Sequence, residues 1–566
     1  MTIKIGTRAS NLAVWQATTV RDSLISAGFE AELVPLTSTG DRSLGGQLSA
    51  SVGQFIHSID DRLLADEIDI AVHSCKDVPV DVDSRIQNLA YVERGCTTDV
   101  ILLRKTSKVQ SLDEMLTGSD STPLKTILEF FPSGSTFGTV SGRRQSFLLS
   151  QRPDLIPLAV RGHVETRISR LMEGRVDAVV LAEVGIQRLN SIGALDDVKG
   201  EISAFRINPM DWPTAPGQGA IAIHCKEHRY NELQHLRNVL NHPPTEADVV
   251  VERALLKQVG GGCLYPAGIG VDKEHVHIQV SPENWREIFC QGTAYNMFSY
   301  AGKANQLDLD LPKQPLATSA INTGGPRYIS TLNSDRISLV LSNSGIQMQN
   351  ISVVDLVPRI DDWPSDFLQH YAGKRTWPYL VLTSPFAAKC AVKASKSIPD
   401  IARIPWLAIG EGTARACFRL GITVSVCAKA RNAKQLASYI TDNFPPSTSF
   451  FVPRSSLSSP VFVDALGSAG YTVKSWTGYE NTSKETDQID VQTEDVLVLS
   501  SSSSALSWAE NNLTVPHEIL CMGENARQTI ASLDHFSGSQ VSVLSGPTTE
   551  ALVQWWKENR GGSNED

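Results

Sequence analysis

A thiol beside a run of glycines lies near the middle of this 566-residue chain, where Gly260, Gly261 and Gly262 precede Cys263. Glycines carry no side-chain bulk and adopt positive φ easily, so a large group can approach the backbone next to the thiol. Cys263 is therefore a candidate attachment point for a covalent group. The alternative is an inert, buried cysteine, which the residue type alone favours by about three to one.

A pair of charged residues follows a short apolar segment. Residues 68–72 predict a buried strand, and Lys76 and Asp77 come soon after it, before Pro79 ends regular structure. Charged side chains at the carboxyl end of a strand in an α/β sheet lie where such folds bind ligands. Asp77 is therefore a candidate acid–base or cation-stabilising group. The alternative is an ordinary surface ion pair between Lys76 and Asp77.

Arginine is concentrated in one stretch of the chain. Between residues 141 and 190 there are eight arginines, five acidic residues and no lysine, which gives +3 in a protein of net charge −10. The planar guanidinium suits bidentate binding of carboxylate or phosphate, so the cluster predicts a polyanionic ligand. Ser141 is predicted to cap a helix with Arg143 and Arg144 in its first turn, where each cation opposes the helix dipole at a cost of about 0.3–1 kcal/mol. An anionic ligand would compensate them, whereas the alternative, a solvated helical face, would not.

The bulk composition limits the class of protein. The length suggests roughly three or four domains, and 41% hydrophobic with 20% charged residues is typical of a soluble globular protein. The net charge of −10 argues against a nucleic-acid partner, since phosphate binding needs a basic surface. Nine cysteines without a CxxC pair or zinc-ligand spacing predict reduced thiols, no metal site and a cytoplasmic protein. No signal peptide and no apolar run of about 18 residues is found, so we expect no membrane segment, and we expect a monomer.

The elements that would position these groups begin near the N-terminus. Residues 4–8 predict a strand, and Ser10 is predicted to cap a helix that turns Ala17 and Leu24 toward a core. Arg8 and Ser10 would then lie at a helix N-terminus, which favours anions; the alternative is a capping serine beside a solvated arginine.

Two further segments surround the candidate groups of this half. Residues 39–53 are rich in glycine and serine, lack periodicity and predict a long loop that acts as a lid. A helix is predicted over about 245–259, with Glu252 and Arg253 expected to pair locally, and it leads to Cys263.

The second half contains an internal repeat of strand, polar turn, helix, strand, glycine turn, helix and strand. The two copies cover residues 379–426 and 496–543. This order is typical of a parallel sheet, so two related α/β lobes with a cleft between them are predicted. Residues 303–326, with three prolines beside glycines, predict a linker to the first half.

Several motifs of the first half occur together in one known family. Residues 1 to about 302 resemble hydroxymethylbilane synthase, also called porphobilinogen deaminase, through motifs at residues 6–10 (GTRAS), 39–41 (TGD), 71–79 (AVHSCKDVP), 138–145 (GTVSGRRQ), 161–167 (RGHVETR), 215–220 (APGQGA) and 261–263 (GGC). The resemblance implies an α/β fold of two lobes like periplasmic binding proteins, with a small α+β domain. It also implies a dipyrromethane held covalently by Cys263, onto which four porphobilinogen units are added in turn with loss of ammonia, before hydrolysis releases hydroxymethylbilane.

The same resemblance implies roles for individual residues. Asp77 matches the catalytic aspartate of the family, whose carboxylate can hydrogen-bond pyrrole N–H groups and stabilise the cation formed as the amine leaves. The implied ligands of the cofactor are Ser74, Lys76, Thr139, Ser141, Arg143, Arg144 and Arg188 with Cys263, and the implied substrate-binding residues are Arg8, Ser10, Arg161 and Arg167. Each pyrrole carries two carboxylates, so a growing chain needs many arginines. Val52 replaces a lysine of the family's lid and His163 replaces an asparagine, which puts the efficiency of elongation in doubt.

Most of the second half resembles uroporphyrinogen-III synthase, whose two lobes bind a linear tetrapyrrole. The motifs lie at residues 382–385 (LTSP), 409–414 (IGEGTA), 452–454 (VPR) and 478–482 (GYENT). The resemblance implies loss of water from hydroxymethylbilane, a spiro intermediate, and closure with ring D inverted. Tyr479 matches a tyrosine that assists departure of the hydroxyl, with an ordinary packed tyrosine as the alternative. Thr413 matches a hydroxyl of the cleft and is implied to be catalytic with Tyr479, and Thr383, Ser384 and Ser500 are implied to bind substrate.

The two resemblances predict a bifunctional enzyme of tetrapyrrole biosynthesis that forms hydroxymethylbilane from porphobilinogen and cyclises it to uroporphyrinogen III. Two alternatives remain: an active deaminase with a non-catalytic second half, and a carboxylate-binding protein without catalysis. The predicted domains are residues 1–95 with 203–222, 96–202, 223–302, a linker over 303–326, synthase lobes over 327–360 with 481–558 and over 361–480, and a tail over 559–566.

Overall fold

The computed structural model describes residues 2–36, 54–260, 265–290, 295–307, 309, 326–333, 338, 341, 346–365, 367, 378–486, 489–546 and 549–560. The chain divides into two compact units. The first comprises Met1–Trp285 and Ala294–Gln314, and the second comprises Arg286–Thr293 and Pro315–Asp566. Cys263, the predicted lid with Val52, and most of the predicted linker lie outside the described residues. No helix within the described ranges is long and apolar enough to cross a membrane.

The described residues up to 307 form both strands and helices. The strands are β1 (Ile3–Arg8), β2 (Ala31–Leu36), β3 (Ile70–Ser74), β4 (Ile86–Val92), β5 (Asp99–Arg104), β6 (Thr136–Gly138), β7 (Ile156–Leu158), β8 (Ala178–Ala182), β9 (Ile202–Arg206), β10 (Ile221–Lys226), β11 (Ala267–Asp272), β12 (His275–Val280) and β13 (Phe298–Lys303). The helices are α1 (Asn11–Ser26), α2 (Gln54–Leu64), α3 (Leu112–Thr117), α4 (Leu124–Glu129), α5 (Gly142–Gln151), α6 (Val164–Met172), α7 (Glu183–Asn190), α8 (Tyr230–Leu233), α9 (Arg237–Leu240), α10 (Pro243–Gln258) and α11 (Trp285–Cys290).

The first sheet has the strand order β2-β1-β3-β10-β4. β1 runs parallel to β2 and β3, whereas β10 runs antiparallel to β3 and β4. Ser10 caps α1 as predicted, because its side chain accepts a hydrogen bond from the Ala13 amide. α1 then buries Ala17 and Leu24 against this sheet. Burial of a leucine side chain contributes about 1.5–3 kcal/mol to the free energy of unfolding. This packing fixes the carboxyl ends of β1 and β3, where Arg8 and the Asp77 segment lie.

The second sheet repeats the pattern of the first, with the order β7-β6-β8-β5-β9. β6 runs parallel to β7 and β8, and β5 runs antiparallel to β8 and β9. Ser141 caps α5 as predicted, since its side chain accepts a hydrogen bond from the Arg144 amide. Both sheets therefore place a serine-capped helix after a parallel strand, and the predicted α/β class is confirmed.

Two segments connect the first and second sheets. The chain leaves the first sheet between β4 and β5 and returns between β9 and β10. The two segments touch, because the Gly95 amide donates to the Gly219 carbonyl at 3.2 Å. Since β9 pairs in the second sheet and β10 in the first, the predicted boundaries at 202/203 and 222/223 fall inside strands.

A third, antiparallel sheet has the order β11-β12-β13. α10 covers it, with Leu255 and Leu256 packed against Ile269 and Ile278. α10 ends at Gln258, and the chain enters β11 after the segment that contains Cys263. Sheet and helix together therefore hold both ends of that segment.

The second unit consists of further strands and helices. The strands are β14 (Tyr328–Ser330), β15 (Met348–Asn350), β16 (Val354–Pro358), β17 (Tyr379–Leu382), β18 (Trp406–Ala408), β19 (Val426–Cys427), β20 (Ser449–Ser455), β21 (Thr472–Ser483), β22 (Val496–Leu499), β23 (Glu518–Cys521) and β24 (Gln540–Val543). The helices are α12 (Pro385–Ala394), α13 (Glu411–Arg419), α14 (Ala433–Asn443), α15 (Val461–Ser468), α16 (Ser502–Glu510), α17 (Glu524–Ala531) and α18 (Thr549–Asn559).

The predicted repeat corresponds to two parallel runs of strands. One sheet has the order β16-β21-β20-β17-β18-β19 and the other has the order β15-β14-β22-β23-β24. Within them β17-β18-β19 and β22-β23-β24 are parallel neighbours. Ser384 caps α12 and Ser501 caps α16, so the turns match as well. β16 pairs with β21, although residues 327–360 were predicted to belong to the other lobe.

Gly219 is a sensitive position in the segments that connect the first two sheets. Its φ is +90°, and a β-carbon there would lie 2.5 Å from the Gly95 oxygen and 2.9 Å from the Cys96 oxygen. We expect Gly219→Ala to lower the free energy of unfolding by about 2 kcal/mol or more, because backbone strain and overlap add. Chemical denaturation measures the change. Gly200→Ala is the control, since no atom lies within 4 Å of its β-carbon position; equal effects of the two changes would contradict the expectation.

Candidate active sites

The residues after β3 form a short 3₁₀ turn, Cys75–Asp77. The Cys75 amide donates to the Ala220 carbonyl at 3.0 Å, and a β-carbon at Gly217 would lie 2.6 Å from the Cys75 sulfur. Burial raises the pKa of the Cys75 thiol to about 12, so this cysteine is an inert packing group. Asp77 is exposed. The turn is thus held from one side and presents the Asp77 carboxylate on the other.

α10 holds the same turn from a second direction. Arg253 donates to the Val78 carbonyl at 3.1 Å and to the Pro79 carbonyl at 2.5 Å. The predicted local pair of Glu252 and Arg253 is wrong, because adjacent residues of a helix point to different faces. Glu252 instead binds both terminal nitrogens of Arg94, at 2.8 and 2.9 Å.

Glu252 is a junction between three segments of the first unit. Its side chain is fully buried, and it accepts hydrogen bonds from the Gly217 amide at 2.7 Å and from the Val271 amide at 3.0 Å. A buried carboxylate is stable only when its oxygens are satisfied in this way. Glu252 therefore ties α10 to the returning connection and to the sheet that follows Cys263.

Asp99 is the anion that accompanies Arg143 and Arg144. Its carboxylate lies 2.6 Å from a terminal nitrogen of each arginine, and the Trp212 indole N–H donates to it at 2.9 Å. Burial alone would raise the pKa of Asp99, but Arg144 and Arg143 hold it far below its usual range. The two arginines are only 4% and 6% exposed. The anion that compensates Arg143 and Arg144 is therefore an internal carboxylate, Asp99. Binding of cofactor carboxylates by the two arginines stays a prediction.

Gln218 joins this buried cluster to the Asp77 turn. Its Nε2 donates to Asp99 at 2.9 Å and its Oε1 accepts from the Lys76 ammonium at 3.3 Å. The pKa of Lys76 is lowered to about 8, first by burial and then by repulsion from Arg144. Lys76 is therefore mostly cationic at neutral pH, in a place where a second positive charge is unfavourable without an anion.

Arg167 lies among the other charges predicted to bind ligand. Its pKa is lowered to about 10, first by burial and then by repulsion from Arg144, while Asp77 acts in the opposite direction and Arg161 and Arg8 add further repulsion. Burial also lowers the pKa of Arg161. Cations that repel one another in a half-buried site favour an anionic ligand. The structure thus brings Arg8, Lys76, Asp77, Arg144, Arg161 and Arg167 into one electrostatic neighbourhood.

The hydroxyl groups of the predicted site have partners within the protein. Ser10 and Ser141 are helix caps, and the Ser141 amide donates to Thr139 Oγ1 at 3.2 Å. Ser74 Oγ accepts from Gln16 Nε2 at 2.9 Å. These contacts orient the segments that carry Arg8 and Arg144, and roles of the hydroxyls as ligands stay predictions.

Arg188 makes contacts other than those of the charged residues around Arg167. It is 7% exposed, donates to the Gly219 carbonyl at 2.8 Å and lies 5.0 Å from the centre of the Trp15 ring. Burial lowers its pKa to about 10. Arg188 therefore joins α7 to the returning connection and to α1, and cofactor binding by it stays a prediction.

In the second unit, Tyr479 and Ser384 form a hydrogen-bonded pair. Tyr479 lies on β21 and Ser384 lies between β17 and α12, with their hydroxyl oxygens 2.9 Å apart. The Tyr479 ring packs edge-on against Phe386 at 5.1 Å between centroids. Tyr479 is 6% exposed, and burial raises the pKa of its phenol. The group is therefore protonated at neutral pH and can donate a hydrogen bond.

Thr383, Thr413 and Ser500 lie at the carboxyl ends of strands. Thr383 follows β17, and Thr413, 3% exposed, is in the first turn of α13 after β18. Since β17 and β18 are parallel neighbours, these residues and Ser384 share one edge of a sheet. Ser500 follows β22 in the other sheet, where its hydroxyl lies 3.1 Å from Thr331 Oγ1 and 2.9 Å from Ser504 Oγ.

Sequence reasoning missed the buried groups that support the first site. Gln218 lies within a recognised motif, but nothing in that motif indicates a contact with both Lys76 and Asp99. Asp99 opens the apolar strand β5. Two sequence features together could have identified Asp99. It is an acidic residue at the start of a buried strand, and Arg143 and Arg144 have no acidic neighbour in the sequence.

Comparison with known proteins gives the same assignment for the first half. Residues 3–234 match the family model described as porphobilinogen deaminase, dipyromethane cofactor binding domain. The chain is 36% identical over 266 residues to the porphobilinogen deaminase of Corynebacterium efficiens, an alignment that covers 47% of this chain and 79% of that protein. The chain belongs to the porphobilinogen deaminase family. A probable porphobilinogen deaminase of Methanosarcina mazei is 32% identical over 282 residues, or 49% of this chain and 80% of that protein.

The second half matches another family. Residues 335–554 match the model of uroporphyrinogen-III synthase HemD. The chain is therefore a porphobilinogen deaminase fused to a uroporphyrinogen-III synthase, a bifunctional enzyme of tetrapyrrole biosynthesis, and dipyrromethane is the cofactor of its first half. The uroporphyrinogen-III synthetase of Helicobacter pylori, a solved structure, is 14% identical over 42% of this chain and 100% of its own, with a TM-score of 0.31.

Asp99 can be tested by removing its charge. We expect Asp99→Asn to lower the free energy of unfolding by about 3–5 kcal/mol, because two buried guanidinium groups lose their anion. Denaturation of the full chain measures the change. Asp196→Asn is the control, since that side chain is 61% exposed and pairs with Lys199 at the surface, where an ion pair contributes about 0–1 kcal/mol. A loss below 1 kcal/mol for Asp99→Asn would contradict this account.

Proposed function

We propose that the deaminase half joins four porphobilinogen molecules, each with loss of ammonia, on a dipyrromethane bound covalently to Cys263. We further propose that the synthase half closes the released hydroxymethylbilane to uroporphyrinogen III with ring D inverted. The observation that carries the first proposal is the exposed Asp77 carboxylate at the end of β3, in the electrostatic neighbourhood of Lys76 and Arg167.

The cofactor assignment is supported by the charge of the site and by the ends of the Cys263 segment. Gly260 has φ +76°, and no atom of the described residues lies within 4 Å of a β-carbon position there. When bound, the dipyrromethane supplies the pyrrole ring to which the substrate units are joined. Asp99 neutralises one of the two charges of Arg143 and Arg144, so together with Lys76 this cluster keeps an excess of positive charge for acetate and propionate groups.

Asp77 is assigned the stabilisation of charge on the incoming substrate. As ammonia leaves the aminomethyl group of porphobilinogen, the substrate ring becomes cationic. A carboxylate can accept a hydrogen bond from the ring N–H group and stabilise that charge. Arg8, Arg161 and Arg167 are assigned the binding of substrate carboxylates. Lys76, held by Gln218, adds a cation next to Asp77 and is proposed to bind a carboxylate of the cofactor.

Covalent attachment is tested by intact mass. We expect the purified protein to exceed its polypeptide mass by one dipyrromethane, and Cys263→Ser to show the polypeptide mass alone. Cys96→Ser is the control, because Cys96 is half-buried, bonded to Thr98 and Glu183, and assigned no ligand. An unmodified wild-type chain would instead favour a carboxylate-binding protein without catalysis.

The synthase half is assigned a single proton donor. The Tyr479 phenol can donate a hydrogen bond to the hydroxyl that leaves hydroxymethylbilane, while Ser384 keeps the phenol oriented. Thr413 is proposed as a second catalytic hydroxyl, and Thr383, Ser384 and Ser500 are assigned to the binding of substrate at the strand ends. The sheet edge that holds Tyr479, Ser384 and Thr413 supports this assignment.

Isomer analysis tests the second proposal. Hydroxymethylbilane closes spontaneously to the type I isomer, so we expect Tyr479→Phe to shift the product formed from porphobilinogen from type III toward type I. Tyr471→Phe is the control, because Tyr471 is buried in the same lobe and its hydroxyl donates to the backbone carbonyls of Ile440 and Phe444. If the wild-type chain forms type I alone, the second half is non-catalytic.

Compartment and assembly are proposed on simpler grounds. The described cysteines are unpaired, which supports a reducing compartment such as the cytoplasm. We propose that the enzyme works there as a monomer on small-molecule substrates.

A further inference from the structure

Three buried side chains form a cluster on the first sheet that the proposed reaction does not use. Asp60 lies on α2, His73 on β3 and His224 on β10, and they are 8%, 5% and 3% exposed. Their ligand atoms all lie within 4.8 Å of one another. His73 and His224 are diagonal neighbours on adjacent antiparallel strands, with their ring centres 4.9 Å apart, so the sheet register itself sets the pair.

The cluster is incompletely hydrogen-bonded. His73 Nε2 lies 3.1 Å from Asp60 Oδ1. His224 Nδ1 lies 4.0 Å from the same oxygen, which is too long for a hydrogen bond, and it has no hydrogen-bond partner among the described residues. A buried polar atom without a partner costs about 1–3 kcal/mol.

The chemistry of the three side chains suits a metal ion. Imidazole nitrogens and carboxylate oxygens are common ligands of divalent transition metals in proteins. All three side chains are buried and grouped closely enough to reach one ion.

We propose that Asp60, His73 and His224 bind one divalent transition-metal ion, with Zn²⁺ as the best match. A tetrahedral site with bonds of about 2.0 Å separates its ligand atoms by about 3.3 Å. The two histidine–aspartate separations, 3.1 and 4.0 Å, lie on either side of that value, and the two histidine nitrogens lie within 4.8 Å of each other. Two imidazoles and one carboxylate favour Zn²⁺ over Mg²⁺ or Ca²⁺, which prefer oxygen ligands. The fourth position is left for water.

The ion would hold together the framework of the Asp77 turn and would take no part in its chemistry. It links α2 to β3 and β10, and β3 continues directly from His73 into the Cys75–Asp77 turn. Protons compete with a metal ion for imidazole and carboxylate ligands, so the affinity should fall as the pH is lowered.

The test is a titration of the metal-free, full-length chain with Co²⁺, whose absorption reports the ligand type. We expect one equivalent to bind with the spectrum of a tetrahedral nitrogen and oxygen site and without a thiolate charge-transfer band. The melting temperature should rise with Co²⁺ or Zn²⁺ and not with Mg²⁺. A thiolate band would overturn the proposal, since it would assign the ion to cysteines, and so would the absence of stoichiometric binding.

Two variants and one control locate the site. His224→Leu removes a ligand atom that has no hydrogen-bond partner in the described part of the chain, so the metal-free protein should keep its melting temperature while Co²⁺ affinity falls at least tenfold. Asp60→Asn should also weaken binding at least tenfold. His235→Gln is the control, because His235 bonds the Glu232 carbonyl at the surface, away from the cluster. Unchanged Co²⁺ affinity in His224→Leu would show that the triad is a hydrogen-bonded structural group only and would overturn the proposal.

Discussion

The carboxylate of Asp99 is the contact on which the deaminase half depends. It is buried at the start of β5 and receives the guanidinium groups of Arg143 and Arg144, the indole of Trp212 and the amide of Gln218. An ion so far from water is stable only because every one of these donors is in place. Removing a single donor would leave the buried carboxylate without part of its compensation. The second sheet, α5 and the returning connection, which supply these donors, are therefore held together.

The same contact sets the charge of the candidate active site. One aspartate is paired with two arginines, and Gln218 bonds Asp99 through Nε2 and Lys76 through Oε1. The cluster therefore keeps a net positive charge. Asp77 lies at the exposed edge of this positive region. Arg143 and Arg144 are already paired with Asp99. The Asp77 carboxylate therefore stays available to stabilise a cation that develops on a ligand, while the positive region attracts the ligand's own carboxylates.

The sequence predicted the parts that depend on local pattern and missed those that depend on long-range pairing. Ser10 and Ser141 are predictable as caps because capping acts over three residues. Glu252 was assigned to its neighbour Arg253, whereas the fold pairs it with Arg94, far away in the chain. His73 was read as part of a motif, but its partners Asp60 and His224 come from separate elements, and no sequence spacing marks such a group. In the second half, the repeat gave the order of strands, and the antiparallel pairing of β16 with β21 could not be read from it.

The nesting of one sheet within the other has a consequence for folding order. The second sheet is built from a continuous stretch, β5 to β9, whereas the first sheet needs β10 from beyond that stretch to pair with β3 and β4. Closing the shorter loops first costs less chain entropy. The inner lobe can therefore complete its core while the outer lobe still lacks a central strand. During synthesis on the ribosome, the Asp77 turn acquires its support from Ala220 only after the entire inner lobe has emerged, so the Asp77 carboxylate is among the later features of this half to be set in place.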